Sequence, residues 1–547
     1  MELSSRELPI PGSVVLVDKD GHQTQHAEGR HNTDVVLSPK PSNDVNDPLR
    51  WSWKRKQLAH WMLVVYVMTN GIALCSLYSV LSPVSEATGI SLGTLNAGTG
   101  YTDLPVLGYG GLITQPLAMM FGKRPMYLIS QLGTVAVVIW MAFIKSESEW
   151  LANKVIQGLF ASPIEMLVEV SIADIFYAHE RGFYVGVYGM TLFGSNFLAP
   201  IWAGFVNDAL GYKWVFYISA IQCAVGTVIM FFLMEETNYN RGTSELVEEH
   251  DGSAQTDTER PALYRDKQSN EKDLPSVQIR QTSPESRSSL TGTPYSYVRR
   301  LRMFDQIYCS TKMGWTMIWR PIVLLRFPVI LWSGFLYGSA LVWYNVLNAT
   351  ASILFTDLYD FSASAVGLVY FGPLVGSAVA ALWSGWVGDR FTMWMTRRQN
   401  GVREPEYRLW LLTLNAIICP VGLILWGVGA AKNVHWMGLI FGGGMVAFTS
   451  ASGGATAINY AIDSYKDLSS EVILAVVLVR NSMGFAIGYG ITPWLDSMGY
   501  QNTFITAAMI GLAAYVSFLP VVRWGKSWRK ASRELYWKYV EEGVLGH

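Results

Sequence analysis

Residues 151–176 read LANKVIQGLFASPIEMLVEVSIADIF. A helix needs about 20 mostly apolar residues to cross a bilayer core, and this stretch supplies them. Glu165 and Glu169 nevertheless lie inside it. A carboxylate at mid-bilayer costs a few kcal/mol even on insertion scales, so acids in such a place point to function by default. Counted from Leu151 at 1.5 Å per residue, Glu165 lies roughly 21 Å along the helix and Glu169 roughly 27 Å. Four residues apart, the two share one helical face. That face is expected to look into a cavity, because lipid would be prohibitive.

Similar apolar stretches recur on both sides, at 58–82, 97–119, 125–144, 183–206 and 213–234, then at 326–349, 363–387, 408–429, 435–461, 471–494 and 502–523. Six spans, a break and six more describe an all-α polytopic membrane protein, with 12 transmembrane helices in two pseudo-symmetric six-helix bundles. The organisation read from this pattern is a tail at 1–57, a bundle at 58–234, a linker at 235–325, a second bundle at 326–524 and a tail at 525–547. The composition agrees. Of 547 residues, 50% are hydrophobic and 15% charged, against roughly 25% charged in soluble proteins. Residues 58–234 hold 15 charges and 321–524 hold 19, while the shorter 235–320 holds 25. With 41 basic against 42 acidic residues, no surplus is left to neutralise phosphates, which excludes a nucleic-acid binder.

Lys and Arg concentrate in alternate loops. That bias puts both tails in the cytosol, and the plasma membrane is the expected location. The segment 238–296 is rich in Ser, Thr, Glu, Gln and Pro and reads as a disordered linker. The following SYVRRLRMFDQI sets Tyr297, Leu301, Phe304 and Ile307 on one face, as in an amphipathic helix lying on the inner leaflet. A weak internal repeat supports duplication. Asp174 and Asp463 end the fourth and tenth spans, and Pro200 before Gly211-Tyr212 matches Pro493 before Gly499-Tyr500.

Cys75, Cys223, Cys309 and Cys419 form no Cys-x-x-Cys pair, and the eight histidines show no metal-ligand spacing; no metal and no cofactor are expected. Two enzyme-like strings fail on context. Gly89-Ile90-Ser91-Leu92-Gly93 lacks the strand that a nucleophile elbow requires. Gly525-Lys526-Ser527 has Pro520 where a phosphate loop places its first glycine.

The loop after the second span, QPLAMMFGKRP, resembles the Gly-x-Leu-Ala-Asp-Arg-x-Gly-Arg-Arg pattern of the major facilitator superfamily, through Leu117, Ala118, Gly122, Lys123 and Arg124. It departs at Gln115, Met119 and Met120, so the pattern's acid is missing. The loop after the eighth span, GWVGDR, keeps Gly385, Asp389 and Arg390. KVIQG, with Lys154, Gln157 and Gly158, resembles the Arg-x-x-Gln-Gly of antiporters; APIWAG, with Pro200 and Gly204, resembles their Gly-Pro-x-x-Gly-Gly. DPLRW, GYKWVFYI and EPEYRL add likeness to the fungal twelve-helix drug:proton antiporter branch, which includes polyamine and organic-cation carriers. The resemblance implies that Lys123, Arg124, Asp389 and Arg390 clamp the inner helix ends, that Pro200 and Gly204 bend and pack the fifth helix, and that the first, fourth, seventh and tenth helices line a cavity. Asp174, Arg181 and Asp463 are further candidates for gating.

Proton coupling or cation binding is expected at Glu165, Glu169, Asp103 and Arg480. Two nearby carboxylates resist double ionisation, so a proton and a cation compete for the pair. Arg480 either neutralises a carboxylate across the cavity or forms a structural ion pair. Amides and aromatic rings suit an organic cation, which nominates Asn70, Tyr78, Asn196, Trp343, Tyr344, Asn345 and Asn348 as cavity residues. Asn348-Ala349-Thr350 is also an N-glycosylation triplet. The expectation is a monomeric, proton-coupled secondary transporter, not an enzyme, whose partners are a small-molecule substrate, protons and the bilayer. Its cargo is expected to be a polyamine or basic xenobiotic. The rivals are a broad-specificity efflux pump for drugs, toxins or a secondary metabolite, and a transporter-like receptor.

Overall fold

A computed structural model describes residues 10–15, 42, 44–102, 109–239, 295–303, 311–399 and 402–544. The first half holds α1 (Trp53–Cys75), α2 (Leu92–Thr102 and Tyr109–Phe121), α3 (Lys123–Met141), α4 (Glu147–Ile175), α5 (Ala178–Leu210) and α6 (Tyr212–Leu233). The second holds α7 (Pro328–Tyr359), α8 (Ala363–Arg398), α9 (Leu412–Ala431, after a 3-10 turn over Pro405–Leu411), α10 (Trp436–Ser464), α11 (469–498) and α12 (500–516). Among the described residues, seven helical stretches are long and apolar enough to cross a membrane, one of them carrying both α11 and α12. The remaining helices are diluted by glycine and small polar residues, as in the SASGGATA run of α10. The architecture is the expected twelve-helix membrane fold. The face on which α1 begins and α12 ends is the terminal face; the opposite one is the far face.

Local chemistry explains the element ends. Ser146 caps α4 by accepting from the Glu149 N–H at 3.3 Å, and Glu147 and Glu149 sit in its first turn, where the helix dipole favours acids. Pro163, which has no N–H to give, divides α4 into Glu147–Ala161 and Pro163–Ile175. Gly211 closes α5 at φ 88°, ψ 162°, and Gly499 separates α11 from α12 at φ 70°, ψ 166°. Only glycine adopts that region without strain, so the repeat seen in sequence is a repeat of backbone conformation.

Lipid tails are as apolar as leucine, so helix association here rests on close fit more than on the hydrophobic effect. A Cβ built on Gly376 in α8 would stand 2.1 Å from the Gly444 carbonyl oxygen of α10. This is what the Gly442–Gly444 run accomplishes: backbones touch. In the first half the larger apolar cores lie around Tyr66, Tyr127 and Ile172 and around Leu77, Val138 and Phe216, with a small one at Ile72, Cys75 and Ala199. The second half has one large core, centred on α7, α9, α10 and α11.

Some boundaries and elements differ from expectation. Within the described 296–303 the helix covers Tyr297–Arg300, and Phe304–Ile307 lie outside the described residues. Arg300 Nε donates to the Tyr295 carbonyl at 2.8 Å, and Tyr297 Oη to the Phe232 carbonyl at 2.7 Å. A second linker helix, Thr311–Leu324, follows. The final tail is helical over Phe518–Ala531 and Arg533–Val544. Val14 and Val15 pair antiparallel with Arg403 and Val402, a small ladder joining the first tail to the α8–α9 loop.

Candidate functional site

The two halves meet along two seams. At the far face, α5 and α8 approach backbone to backbone. A Cβ on Gly204 would stand 2.2 Å from the Ala363 carbonyl oxygen, and one on Gly367 would stand 2.6 Å from that of Pro200. The Ser364 N–H also donates to Asp208 at 2.9 Å. The second seam sets Leu112 of α2 and Met166 of α4 against Ile473, Leu474, Val477 and Leu478 of α11. At Gly186, Gly189 and Gly194 of α5, and at Gly385 of α8, an added Cβ would meet nothing within 4 Å.

Between these seams lies the charge bridge. Arg480 Nη2 of α11 donates to a carboxylate oxygen of Glu165 in α4, and among the described residues this ion pair alone joins the two halves. Glu165 stands ten residues before the end of α4 and Arg480 eleven after the start of α11. Both are therefore roughly 15–17 Å from the terminal face, near the middle of a bilayer core about 30 Å thick. Arg480 also donates from Nη1 to Tyr337 Oη of α7 at 3.0 Å and from Nε to the Asn481 side-chain oxygen at 2.8 Å. Its guanidinium carbon lies 4.8 Å from the centroid of the Tyr337 ring. Tyr188 of α5 donates to the Ile164 and Glu165 carbonyls at 3.0 and 3.3 Å. Four helices thus converge on one guanidinium–carboxylate contact.

Glu169 lies one turn nearer the terminal face, and its Oε2 is buried without a hydrogen-bond partner. Glu165 and Arg480 offset each other. A second ionised carboxylate there would be an uncompensated buried charge, which is costly unless paired or neutralised.

The other nominated residues fall in several places. Asn70 is not at the seam. It is fully buried inside the first half, donating to the Tyr66 carbonyl at 3.1 Å and to Gln131, and accepting from Thr134 Oγ1 at 2.9 Å. Asn196 accepts from Cys75 Sγ at 3.0 Å, and Tyr78 is half-buried beside them. Tyr344 stands edge-on to Phe197 of α5 with ring centroids 5.1 Å apart, an aromatic contact between the halves. Trp343 turns toward Gly511 of α12 instead. Asn345 is half-buried on α7. Asn348 is buried, and its amide and the hydroxyls of Tyr344 and Tyr370 border a small internal space without well-formed hydrogen bonds. That burial corrects the glycosylation reading, since no glycan fits on an amide enclosed by its own bundle. Asp103 and the side chain of Arg181 lie outside the described residues.

At the terminal face the nominated charges pair within each half. Lys123, fully buried, donates to Asp174; Arg403 donates to Asp463 at 2.7 Å, the equivalent bond in the other half. Asp389 accepts from Arg408 at 2.5 Å, while the Arg390 guanidinium stacks 3.9 Å from the Trp386 ring centroid. Buried Arg124 donates to the Met234 and Phe231 carbonyls at 2.8 and 2.7 Å and to that of Leu301.

Two arrangements were missed in the sequence. Glu236, just after α6, accepts from the backbone N–H groups of Lys123 and Arg124 at 3.0 Å each and so caps α3. Burial pushes its carboxyl above the ordinary value, and those N–H groups oppose the shift. In the second half the signs are exchanged. Arg529, after α12, is fully buried and donates to Glu404 at 2.7 Å and to Glu406 at 2.8 Å, in the α8–α9 turn. It also donates to the Pro11 carbonyl at 2.5 Å, and Ser13 Oγ donates to Glu404 at 2.8 Å, so the first tail is clasped there. The available signal was acids and bases directly flanking apolar spans.

Comparison with known proteins agrees with this geometry. The profile of the Major Facilitator Superfamily matches residues 62–470. An uncharacterized MFS-type transporter of Schizosaccharomyces pombe is 24% identical over 97% of this chain and 94% of its own. Protein HOL1 of Saccharomyces cerevisiae is 27% identical over 92% of each. Among solved structures, the human organic anion transporter MFSD10 (TETRAN) superposes with a TM-score of 0.53 at 14% identity, covering 85% of this chain and 99% of its own. The xylose transporter XylE from E. coli, in a partially occluded inward-open conformation, gives a TM-score of 0.53 at 12% identity, covering 84% and 98%. These two show the fold alone. The matched span takes in most of the chain, which therefore belongs to the Major Facilitator Superfamily and is a multi-pass membrane transporter.

Proposed function

We propose that this transporter is a proton-coupled carrier of organic cations, polyamines or basic xenobiotics, working by alternating access in the plasma membrane with both termini cytosolic. The observation that carries the reading is the second carboxylate. Arg480 satisfies Glu165, and Glu169 stands beside the pair with a buried, unpartnered oxygen. A carboxyl group so placed is electrically comfortable when it holds a proton or faces a cation, and not otherwise. Proton and cation therefore exclude one another at Glu169, which is the minimum that coupling requires. Arg480 belongs to one half and Glu165 to the other. A cation that draws Glu165 away from Arg480 loosens the contact between halves, which links occupancy to rocking.

The scheme serves export by antiport and import by symport alike. The test is spermidine flux into proteoliposomes under an imposed pH gradient. Gradient-dependent flux in the native protein, lost in Glu169→Gln and in Glu165→Gln, is the expected result. Flux that keeps its gradient dependence in Glu169→Gln removes this carboxyl from the coupling path, and no spermidine flux in folded protein removes the cargo class.

A further inference from the structure

We propose that the extension of α8 past the terminal face is a binding site for the headgroup of an anionic phospholipid. The exposed side of α8 is a continuous apolar line through Leu368, Phe371, Val375, Val379, Leu382 and Trp386. Leu368 to Trp386 is 18 residues, roughly 27 Å at 1.5 Å per residue. A bilayer core is about 30 Å thick, so this line marks the lipid-facing side and Trp386 marks its edge. Arg390 follows one turn later on the same side, which sets it at the height of the phosphate layer.

The chemistry at that height suits an anion. The Arg390 guanidinium lies 3.9 Å from the Trp386 ring centroid, and that of Arg398 lies 4.2 Å from the Trp394 centroid. Stacking holds each planar cation flat with its N–H edge free to receive acceptors. Among the described residues, Arg390, Arg397 and Arg398 enter no ion pair, and the adjacent Asp389 is committed to Arg408. A groove lined by Trp386, Val387, Arg390, Phe391 and Trp394 runs between the stacks. It begins where an acyl chain would end. Arg397, seven residues on from Arg390, stands roughly 10 Å farther out on nearly the same side. It is placed for a negative charge carried by the headgroup itself, beyond the phosphodiester. A zwitterionic lipid leaves that second position unmatched.

The test uses native mass spectrometry of the full chain in detergent, titrated with phosphatidylserine or with phosphatidylcholine of the same acyl chains. The native protein is expected to retain phosphatidylserine preferentially. Arg397→Gln, which removes the cation placed for the headgroup's own charge, should lower that preference about fivefold. Arg390→Lys, which keeps the charge and the fold, should retain most of it. Equal retention of the two lipids by native protein overturns the proposal. So does a preference that survives Arg397→Gln, since the headgroup's own charge would then be met elsewhere.

Discussion

Replacing Gly204 with alanine puts a methyl group 2.2 Å from the Ala363 carbonyl oxygen and 2.8 Å from its carbon. Both atoms are backbone of the opposite half, so no side chain can swing aside. Ordinary contact begins near 3.4 Å, so the α5–α8 seam must open by about 1 Å at this point. Overpacking of this kind costs about 1–3 kcal/mol. The cost falls on the conformation in which the far face is shut, because only there do α5 and α8 touch at Gly204. The shut-to-open ratio should therefore fall about five- to 150-fold. A cysteine at Ile201, within the seam, reports on it through a membrane-impermeant maleimide. The native Cys75, Cys223 and Cys419 are buried, and Cys309, outside the described residues, is replaced by serine in both proteins compared. Labelling should rise by at least about fivefold when Gly204→Ala is added. Unchanged labelling in folded protein refutes the idea that this glycine seals the far face.

Arg529→Gln leaves Glu406 buried without its cation and Glu404 paired with Lys526 alone among the described residues. Breaking a buried pair costs about 3–5 kcal/mol, so thermal unfolding should shift clearly downward, and a substitution with no shift contradicts the clasp. Lys526 and Arg529 hold the Glu404 carboxyl below its ordinary value, although burial alone would raise it. Its contribution is therefore complete above about pH 4 and fades as the pH falls through the lowered value. Limited proteolysis should then find residues 10–15 protected at neutral pH and released only in stronger acid; release at pH 6 would be incompatible with this. Glu236→Ala uncaps α3 at the cost of about 1–2 kcal/mol. Its unfolding temperature should drop less than that of Arg529→Gln.

Helix content and order were legible because a membrane span is a bulk property of some 20 residues. The carboxylates of α4 stood out for the same reason, as charge where charge is expensive. Their partner was not decidable. Glu165 and Arg480 are 315 positions apart, and nothing local says which intramembrane acid an arginine meets. Amides were the poorest guides. Asn70 and Asn348 both sit on helices nominated for the cavity, yet one satisfies α1 and α3 inside a bundle and the other is enclosed beside Tyr370. An amide costs little enough to bury that it serves packing as readily as binding. The clasps at Glu236 and Arg529 escaped notice because each joins residues more than a hundred positions apart.

The most direct test is proton release on cargo binding, followed with a pH indicator in weakly buffered detergent solution as spermidine is added. If Glu169 exchanges a proton for a cation, native protein should release protons in step with binding, and Glu169→Gln should release none while still folding. Binding without proton release, or release unchanged in Glu169→Gln, would contradict coupling at this carboxyl.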